Sequence, residues 1–496
     1  MLQIICISTQ YLLQTVFTFY RAQDLIMLQR KLYQYLLDWK NNKHKVALCI
    51  SGARQVGKTT LVRYFAKNNY SVFVELNFAL HPEQKLIFED DLSVSSIISK
   101  LSSYCGKELV KGNTLIFLDE IQDCPNARLA IKTLVEDGKY DYIESGSLLG
   151  VRTKEVPSLP VGFEEHVTMY PLDLEEYAIA LGVDKSIIDR LEKHFIERTP
   201  VDKVLHRSFC KIFNSYLVVG GMPAAVSSYL EDSDIAKVVN IQKNILEQYR
   251  MDITKYAYTG KDKIHDIFDA LPSELEAKNR RFVLTNLNKN ARLNRYENSF
   301  VWLSDAGVAL PCYNVNACTF PLKLNEKRSL FKLFLSDTGL LCATCQCNVQ
   351  FEILTGDIGI NLGGILENVI AQQLKVNGYS LYYYDSLKRG EVDFLLEDDR
   401  QVIPLEIKSG KDYKKHNALN NVLKEKEWNL NKAYVLCSGN VETEGNVVYL
   451  PWYMVMFLKK KQLTDKSNAE NSKFKLDLSE LFAYQDKLKQ EDVDKE

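Results

Sequence analysis

The sequence predicts an α/β protein with three parts: a parallel-sheet domain, a largely helical middle and a second, C-terminal α/β domain. Three observations predict this organisation. A short apolar run at residues 46–50 leads directly into a glycine-rich pattern, and a second apolar run at 114–118 ends in two acidic residues. Between 360 and 440, a helix-like segment and strand-like segments carry carboxylates and a lysine at spacings that place them together.

Composition limits the classes of function. The chain has 496 residues, which at roughly 150 residues per domain corresponds to about three domains. Apolar residues make up 46% and charged residues 25%, as in globular proteins, which excludes a wholly disordered or collagen-like chain. The formal net charge is -2, so attraction to nucleic acid must be local. The 11 scattered cysteines predict reduced thiols and a cytoplasmic protein.

The two ends are predicted to lie outside the folded domains. Residues 1–26 are apolar, but glutamines interrupt the run and neither a basic segment nor a cleavage site accompanies it. We interpret them as an N-terminal extension that need not belong to the mature protein, with Met27 as an alternative start. Residues 465–496 are predicted to form a charged tail. Since the rest of the sequence lacks a run of roughly 20 apolar residues, no membrane partner is expected.

The apolar strand at 46–50 is followed by the pattern G-x-x-x-x-G-K-[ST]. Glycines allow the backbone to curl so that its N–H groups point at phosphates, and the next helix presents its positive N-terminus. Lys58 is predicted to act on the β- and γ-phosphates and Thr59 to bind Mg²⁺. The predicted nucleotide-binding residues are Gly52, Ala53, Arg54, Gln55, Val56, Gly57, Lys58, Thr59 and Thr60.

A second acidic element is expected at the end of another buried strand. The run at 114–118 supplies it: Asp119 is predicted to hold Mg²⁺ directly or through water, and Glu120 to orient or deprotonate the attacking water. A further predicted strand at 140–144 ends near Ser145 and Ser147, and either serine is a candidate for sensing the γ-phosphate or positioning water. The candidates for a charge-stabilising arginine are Arg54, Arg128 and Arg152.

These motifs, together with the blocks LDEIQDCP, ESGSLL and VGFEEHVTMYPLDLEEY, resemble the AAA-like P-loop ATPases of bacteria and archaea that carry a C-terminal domain of unknown function. The resemblance covers most of residues 30–460. It implies that the glycine-rich segment binds ATP and that Asp119 and Glu120 form the metal and water site. Many members of that family have a Gly-Arg pair where this sequence has Val161 and Gly162, so the resemblance implies no arginine finger at that point.

The middle of the chain is predicted to be helical. Residues 171–260 show apolar positions at helical spacing and are predicted to form a lid, interrupted by a turn at 220–223. Residues 261–340 are predicted to be winged-helix-like, with helices followed by a hairpin whose strands lie at 300–303 and 308–310. The basic residues of this region indicate a DNA contact, although a solvated face explains them equally well. They are Lys278, Arg280, Arg281, Lys289, Arg292 and Arg295.

The segment 360–440 carries the second set of candidate site residues. Glu367 is a single carboxylate on the apolar face of a predicted helix. Glu406 and Lys408 alternate along a predicted strand and therefore project to one face, where Asp393 of the preceding strand can join them. Carboxylates hold hard cations such as Mg²⁺, which activate water for phosphodiester cleavage. The pattern predicts Glu367, Asp393 and Glu406 as metal ligands and Glu406 and Lys408 as catalytic residues. Lys408 would orient the nucleophile or neutralise the pentavalent phosphate.

This helix–strand–strand order resembles the PD-(D/E)XK restriction-endonuclease-like superfamily, with Glu367, Asp393, Glu406 and Lys408 at the matching positions. The resemblance implies a nuclease-like fold. However, E-x-D and E-x-K are also common as cross-strand charge pairs on a hairpin, so the sequence leaves open whether cleavage is retained.

The predicted domains are a P-loop NTPase domain at 27–170, a helical lid at 171–260, a winged-helix-like region at 261–340 and a nuclease-like domain at 341–464. We expect a cytoplasmic ATPase, with ATP and Mg²⁺ as cofactors, whose ATP cycle drives or gates a nuclease-like domain that acts on DNA. The alternative is a nucleotide-controlled module that binds DNA or protein without cutting. A protein partner and assembly with further copies of the chain are left open by the sequence.

Overall fold

The computed structural model describes residues 28–147, 162–257, 260–276, 282, 293–345, 349–356 and 362–461. The N-terminal extension, the charged tail, Arg152 and Val161 lie outside the described residues. So do Lys278, Arg280, Arg281, Lys289 and Arg292 of the basic cluster. The predictions that concern them stay predictions.

A five-stranded parallel sheet forms the first part of the molecule. Its strands are β1 (Ala47–Ser51), β2 (Val72–Asn77), β3 (Thr114–Asp119), β4 (Asp141–Gly146) and β5 (Glu164–Thr168), and the helices before and between them are α1 (Leu32–Asn41), α2 (Lys58–Asn69), α3 (Val94–Cys105) and α4 (Pro125–Asp137). The strand order is β2-β3-β4-β1-β5. Every residue of β3 and β4 is buried, because both faces of the sheet are covered. This explains why β3 contains a continuous apolar run in the sequence, whereas β4 also buries the polar residues Asp141, Glu144 and Ser145. The predicted strands at 46–50, 114–118 and 140–144 are confirmed.

Helices follow the first sheet, as the sequence predicts. They are α5 (Leu174–Ala180), α6 (Lys185–Glu197), α7 (Lys203–Val219), α8 (Pro223–Asp232), α9 (Ile235–Tyr256), α10 (Lys261–Glu276) and α11 (Leu293–Asp305). Aspartates begin several of them by accepting a hydrogen bond from a main-chain N–H of the first turn, as capping residues do. Between α7 and α8 the backbone turns at Gly220, with φ of 69°. A Cβ on the next residue, Gly221, would lie 2.0 Å from the Leu172 carbonyl oxygen, so only glycine fits.

The predicted strand at 300–303 is wrong, because these residues belong to α11. The local run of Phe, Val, Trp and Leu is typical of a strand. Burial in the structure instead follows the helical spacing of Tyr296, Phe300 and Leu303, which lie on one face of a helix at positions i, i+4 and i+7. The predicted strand at 308–310 is confirmed as the start of β6 (Ala309–Val315).

A mixed eight-stranded sheet forms the C-terminal part. Besides β6 it contains β7 (Glu326–Leu335), β8 (Tyr382–Ser386), β9 (Gly390–Asp398), β10 (Gln401–Ile407), β11 (Ala433–Cys437), β12 (Glu442–Glu444) and β13 (Val447–Pro451), and its helices are α12 (Thr338–Thr344), α13 (Val349–Thr355), α14 (Gly363–Val376) and α15 (Asn417–Leu423). The strand order is β12-β13-β11-β10-β9-β8-β6-β7. The hairpin of β6 and β7 thus pairs with β8 and extends the C-terminal sheet across the boundary predicted at residue 340. Pairing satisfies the main-chain groups that β6 would otherwise expose at a sheet edge.

The two sheets and the helices between them share one hydrophobic core. It runs from Leu48 of β1 through Phe213 of α7 to Leu405 of β10. Phe213 also stacks on Trp452, with ring centroids 6.1 Å apart. Within the described ranges, none of the helices is both long and apolar enough to cross a membrane.

Candidate nucleotide-binding site and C-terminal acidic cluster

The loop between β1 and α2 adopts a conformation that depends on its glycines. Gly52 has φ of 143° and Gly57 has φ of 97°, a region that side chains disfavour. A Cβ on Gly52 would lie 2.2 Å from the Met169 carbonyl oxygen. The close approach of the loop to the end of β5 therefore requires glycine at position 52, and α2 begins immediately after the loop, at Lys58.

Lys58 is the first residue of α2, and its side chain extends back into this loop. Its Nζ donates hydrogen bonds to the main-chain oxygens of Gly52, at 2.8 Å, and Ala53, at 2.9 Å, and only 7% of the residue is exposed. Burial lowers the pKa of Lys58 to about 8, against the opposing charges of Glu120 and Asp119. Carbonyl groups are neutral acceptors, so the charged oxygens of a phosphate would be stronger partners for this ammonium group.

Asp119, at the end of β3, is the centre of a hydrogen-bond network. It accepts hydrogen bonds from the Thr59 hydroxyl and the Asn77 amide, both at 2.9 Å, from the Glu120 main-chain N–H at 3.1 Å, and from the Ser145 hydroxyl. Burial raises the pKa of Asp119, while the hydrogen bonds from Ser145 and Thr59 oppose the rise. A threonine hydroxyl beside an aspartate is the ligand set with which P-loop proteins hold Mg²⁺, so these residues fit that ion.

Glu120 is positioned separately from Asp119. Its backbone is left-handed, with φ of 54°, which is uncommon for a side-chain-bearing residue. Its carboxylate accepts hydrogen bonds from the Gln122 amide and from the Ser147 hydroxyl, the latter at 3.3 Å. The structure thus assigns different neighbours to the two candidate serines: Ser145 contacts Asp119, and Ser147 contacts Glu120.

The loop is also contacted by the helical middle and by the turn before β6. Arg54 forms an ion pair with Asp252 of α9, with 2.5 Å between Nη1 and Oδ1, and the Tyr249 hydroxyl donates to the Arg54 carbonyl oxygen at 3.2 Å. In that turn, a Cβ on Gly307 would lie 2.8 Å from the main-chain nitrogen of Ala53. The described arginine candidates are therefore both paired: Arg54 with Asp252, and the buried Arg128 with Glu164.

Sequence reasoning missed two residues of this site. Asn77 is the last residue of β2, and its side-chain amide donates a hydrogen bond to Asp119. The change from apolar to polar residues at the end of that strand could have predicted this contact. Arg30 donates to the main-chain oxygen of Val56 at 2.8 Å and to Glu176 at 3.2 Å. It lies 26 residues before Val56, and no local pattern indicated this contact.

In the C-terminal sheet, Asp393 and Glu406 lie on the paired strands β9 and β10, in which Phe394 is opposite Leu405. Asp393 accepts a hydrogen bond from the Ile407 main-chain N–H at 2.7 Å, and Lys408 donates to Glu406 at 2.7 Å. The other oxygen of Glu406 is buried and has no hydrogen-bond partner in the part of the chain that the structure describes. Burial, followed by the charge of Asp393, raises the pKa of Glu406 to about 8.

Asp393 and Glu406, together with Glu367 and Glu391, form what we call the C-terminal acidic cluster. A lysine that sequence reasoning missed lies at its centre. Lys332 of β7 is fully buried, and its Nζ lies 3.2 Å from a Glu367 oxygen and 2.5 Å from a Glu391 oxygen. Its charge also lowers the pKa of Glu406. The predicted residues Glu367 and Glu406 therefore lie around the same cation. The signal in the sequence was a lysine inside the otherwise apolar run LFKLFL, since lysine is rarely fully buried unless it is paired.

Comparisons with known proteins identify three regions. Residues 44–178 match the AAA domain family, residues 210–350 match a domain of unknown function (DUF8612), and residues 362–454 match another domain of unknown function (DUF4143). An uncharacterized protein of Methanocaldococcus jannaschii, MJ1637, is 24% identical over 450 residues, which cover 86% of this chain and 87% of that protein.

Solved structures show weaker likeness. The Walker-type ATPase PABY2304 of Pyrococcus abyssi is 13% identical with a TM-score of 0.39, over 64% of this chain and 95% of that one. PCH-2 of C. elegans is 14% identical with a TM-score of 0.26, over 47% of this chain and 72% of that one. Scores this low support no conclusion about this chain. The family match and the geometry of the glycine-rich loop together support an AAA-like P-loop domain at residues 44–178, followed by two regions that match domains of unknown function.

Proposed function

We propose that the protein is a Mg²⁺-dependent ATPase. The observation that carries the proposal is the hydrogen bond between Thr59 and Asp119, beside a lysine whose side chain extends into the phosphate loop. Lys58 would bind the β- and γ-phosphates, and Thr59 and Asp119 would hold Mg²⁺, which neutralises the phosphate charge when bound. Glu120, held by Ser147 and Gln122, would orient the attacking water and accept its proton.

The same proposal includes a coupling of the nucleotide state to the rest of the molecule. Arg54 and Ala53 of the phosphate loop contact Asp252 of α9 and Gly307 next to β6. A nucleotide that enters the loop must rearrange the bonds that Lys58 makes to Gly52 and Ala53. Because α9 and the turn before β6 contact the loop, this rearrangement alters their contacts directly. This supports a role for ATP in controlling the C-terminal sheet.

ATP hydrolysis by the purified full chain tests the first part. We expect Lys58→Ala to reduce the rate constant by about 100- to 1,000-fold, because it removes a cation from the developing charge. Lys67→Ala is the matched control, since Lys67 lies exposed on the same helix. Equal hydrolysis by wild type and Lys58→Ala would contradict the proposal.

Phosphodiester cleavage at the C-terminal acidic cluster is the second candidate function. The unpartnered Glu406 oxygen next to Asp393 favours it, because such an oxygen is available to a divalent ion. Lys332 opposes it, since an ammonium group already neutralises Glu367 and Glu391. We infer that the alternative function is nucleotide-controlled binding of DNA or protein by the same sheet, without cleavage. In that case no metal ion displaces Lys332, which keeps its ion pairs with Glu367 and Glu391.

Incubation with supercoiled DNA in Mg²⁺ or Mn²⁺ separates the two candidates. Cleavage that Lys408→Ala abolishes and the exposed control Lys415→Ala preserves would support a nuclease, and its response to Lys58→Ala would report ATP control. Intact ATP hydrolysis without cleavage would support the binding module instead.

A further inference from the structure

A group of side chains with metal-binding chemistry lies on the first sheet, apart from the phosphate-loop residues. Cys49 of β1 and Glu164 and His166 of β5 offer ligand atoms that all lie within 4.8 Å of one another. The register explains this convergence, since Cys49 is opposite His166 on one side and opposite Glu144 of β4 on the other. Residues at matching positions of parallel strands point to the same face. Three strands therefore bring a thiol, an imidazole and two carboxylates together.

Glu144 is an independent sign that a cation belongs here. It is completely buried, and neither of its carboxylate oxygens has a hydrogen-bond partner among the described residues. Burial, followed by the charge of Glu164, raises the pKa of Glu144 well above its usual value. A buried carboxyl group without a donor is unfavourable. The charge of Arg128, which pairs with Glu164, lowers the pKa of Glu144 but not enough to offset burial, and a further cation beside Glu164 would reduce the remaining repulsion.

The geometry around Glu164 suits a small ion with tetrahedral coordination. His166 Nε2 contacts Glu164 Oε2 directly at 3.1 Å, a hydrogen-bond distance that is also close to the separation of about 3.3 Å expected for two ligands of one tetrahedral zinc ion with bonds of about 2.0–2.1 Å. Arg128 donates to the Glu164 carboxylate at 3.0 Å and so fixes its orientation, as outer partners of metal ligands do. Arg128 and the exposed His166 also line a cavity of about 460 Å³, which gives an ion a route of entry.

We propose that Cys49, Glu164 and His166 bind a transition-metal ion of the zinc class. Thiolate and imidazole favour Zn²⁺ over Mg²⁺, so this site and the proposed Mg²⁺ site at Thr59 select different ions. The Cys49 thiol must lose its proton to bind, so uptake of the ion releases a proton. The ion would join β1 and β5 at the level of Cys49, three residues before Gly52.

The test is a titration of the full chain, stripped of metal, with Zn²⁺ in competition with a chromophoric chelator. A parallel titration with Co²⁺ records the thiolate-to-cobalt charge-transfer absorption. We expect one ion per chain. His166→Ala should weaken binding at least about tenfold, and Cys49→Ser should abolish the charge-transfer absorption. The controls Cys124→Ser, a buried thiol outside the group, and His44→Ala, an exposed imidazole, should bind as the wild type does.

Failure of the wild type to take up one ion would overturn the proposal, and so would equal affinity in wild type and His166→Ala. The side chain of His166 is 59% exposed, so its replacement should not prevent folding. The test therefore stays decisive even if Cys49→Ser, which alters a fully buried position, does not fold. Binding is measured without ATP, so the outcome is independent of ATP hydrolysis.

Discussion

The phosphate loop and the C-terminal acidic cluster each surround a lysine, but different partners hold the two ammonium groups. Lys58 donates to neutral main-chain oxygens, whereas Lys332 is paired with the carboxylates of Glu367 and Glu391 and is fully buried. A phosphate can exchange with carbonyl partners at little cost. Removing a cation from a buried ion pair leaves a charge uncompensated. The comparison supports the proposal that the first lysine binds a ligand, and it leads us to expect that the second stabilises the sheet.

The largest expected effect comes from Lys332→Met. We expect it to lower the free energy of unfolding by about 3–5 kcal/mol, the typical result of breaking a buried ion pair, as measured by urea denaturation. In the double variant Lys332→Met with Glu367→Gln, both charges of that contact are gone, and much of the stability should return. If the free energy of unfolding of the single variant fell by less than about 1 kcal/mol, Lys332 would not serve stability in the way that the comparison requires. A role of Lys332 in catalysis would then become the better explanation.

Lys58→Met should leave the unfolding free energy nearly unchanged and should abolish stabilisation by nucleotide. Wild type at an ATP concentration 100 times the dissociation constant should gain about 2.7 kcal/mol, measured by denaturation with and without ATP and Mg²⁺. Lys67→Met is the control that should keep this gain. An equal gain in Lys58→Met would show that Lys58 does not serve the ligand.

The pH dependence of stability sharpens the comparison further. The pKa of Glu406 is raised to about 8 from an ordinary value of 4.5, so between these values the folded state binds more protons than the unfolded state. The contribution of Glu406 therefore becomes less favourable as pH rises from about 4.5 to 8. We expect Glu406→Gln to match wild type near pH 4.5 and to exceed its unfolding free energy by at least about 1 kcal/mol near pH 8. A difference independent of pH would contradict the raised pKa.

Arg54→Ala should have the smallest effect on stability, below about 1 kcal/mol, because the Arg54 side chain is 48% exposed and such pairs contribute little. Its expected effect is on communication with α9. In wild type, ATP should slow amide hydrogen exchange near Asp252, and in Arg54→Ala this protection should be reduced. Unchanged protection would remove Arg54 from the proposed coupling.

Contiguous patterns predicted much of the first sheet and of the phosphate loop. The strand, loop and helix from 46 to 60 are adjacent in the sequence, and their geometry depends on local glycines. Asn77, Arg30 and Lys332 approach their partners only after strands and helices have packed, so their contacts follow from tertiary structure. The wrong strand prediction at 300–303 has a related cause. A run of four apolar residues is compatible with the two-residue period of a strand and with the 3.6-residue period of a helix, and the packing of Tyr296, Phe300 and Leu303 selects the helix.

The contact of Gly307 with Ala53 has a consequence for synthesis of the protein. During translation the N-terminal part emerges first, so β1 and the phosphate loop leave the ribosome some 250 residues before the turn that rests on them. The strand beside that turn, β6, pairs with β8, which is translated later still. We therefore expect the loop to acquire its complete surroundings only when nearly the whole chain has been made, so that a nascent chain ending before β8 binds nucleotide without transmitting its state.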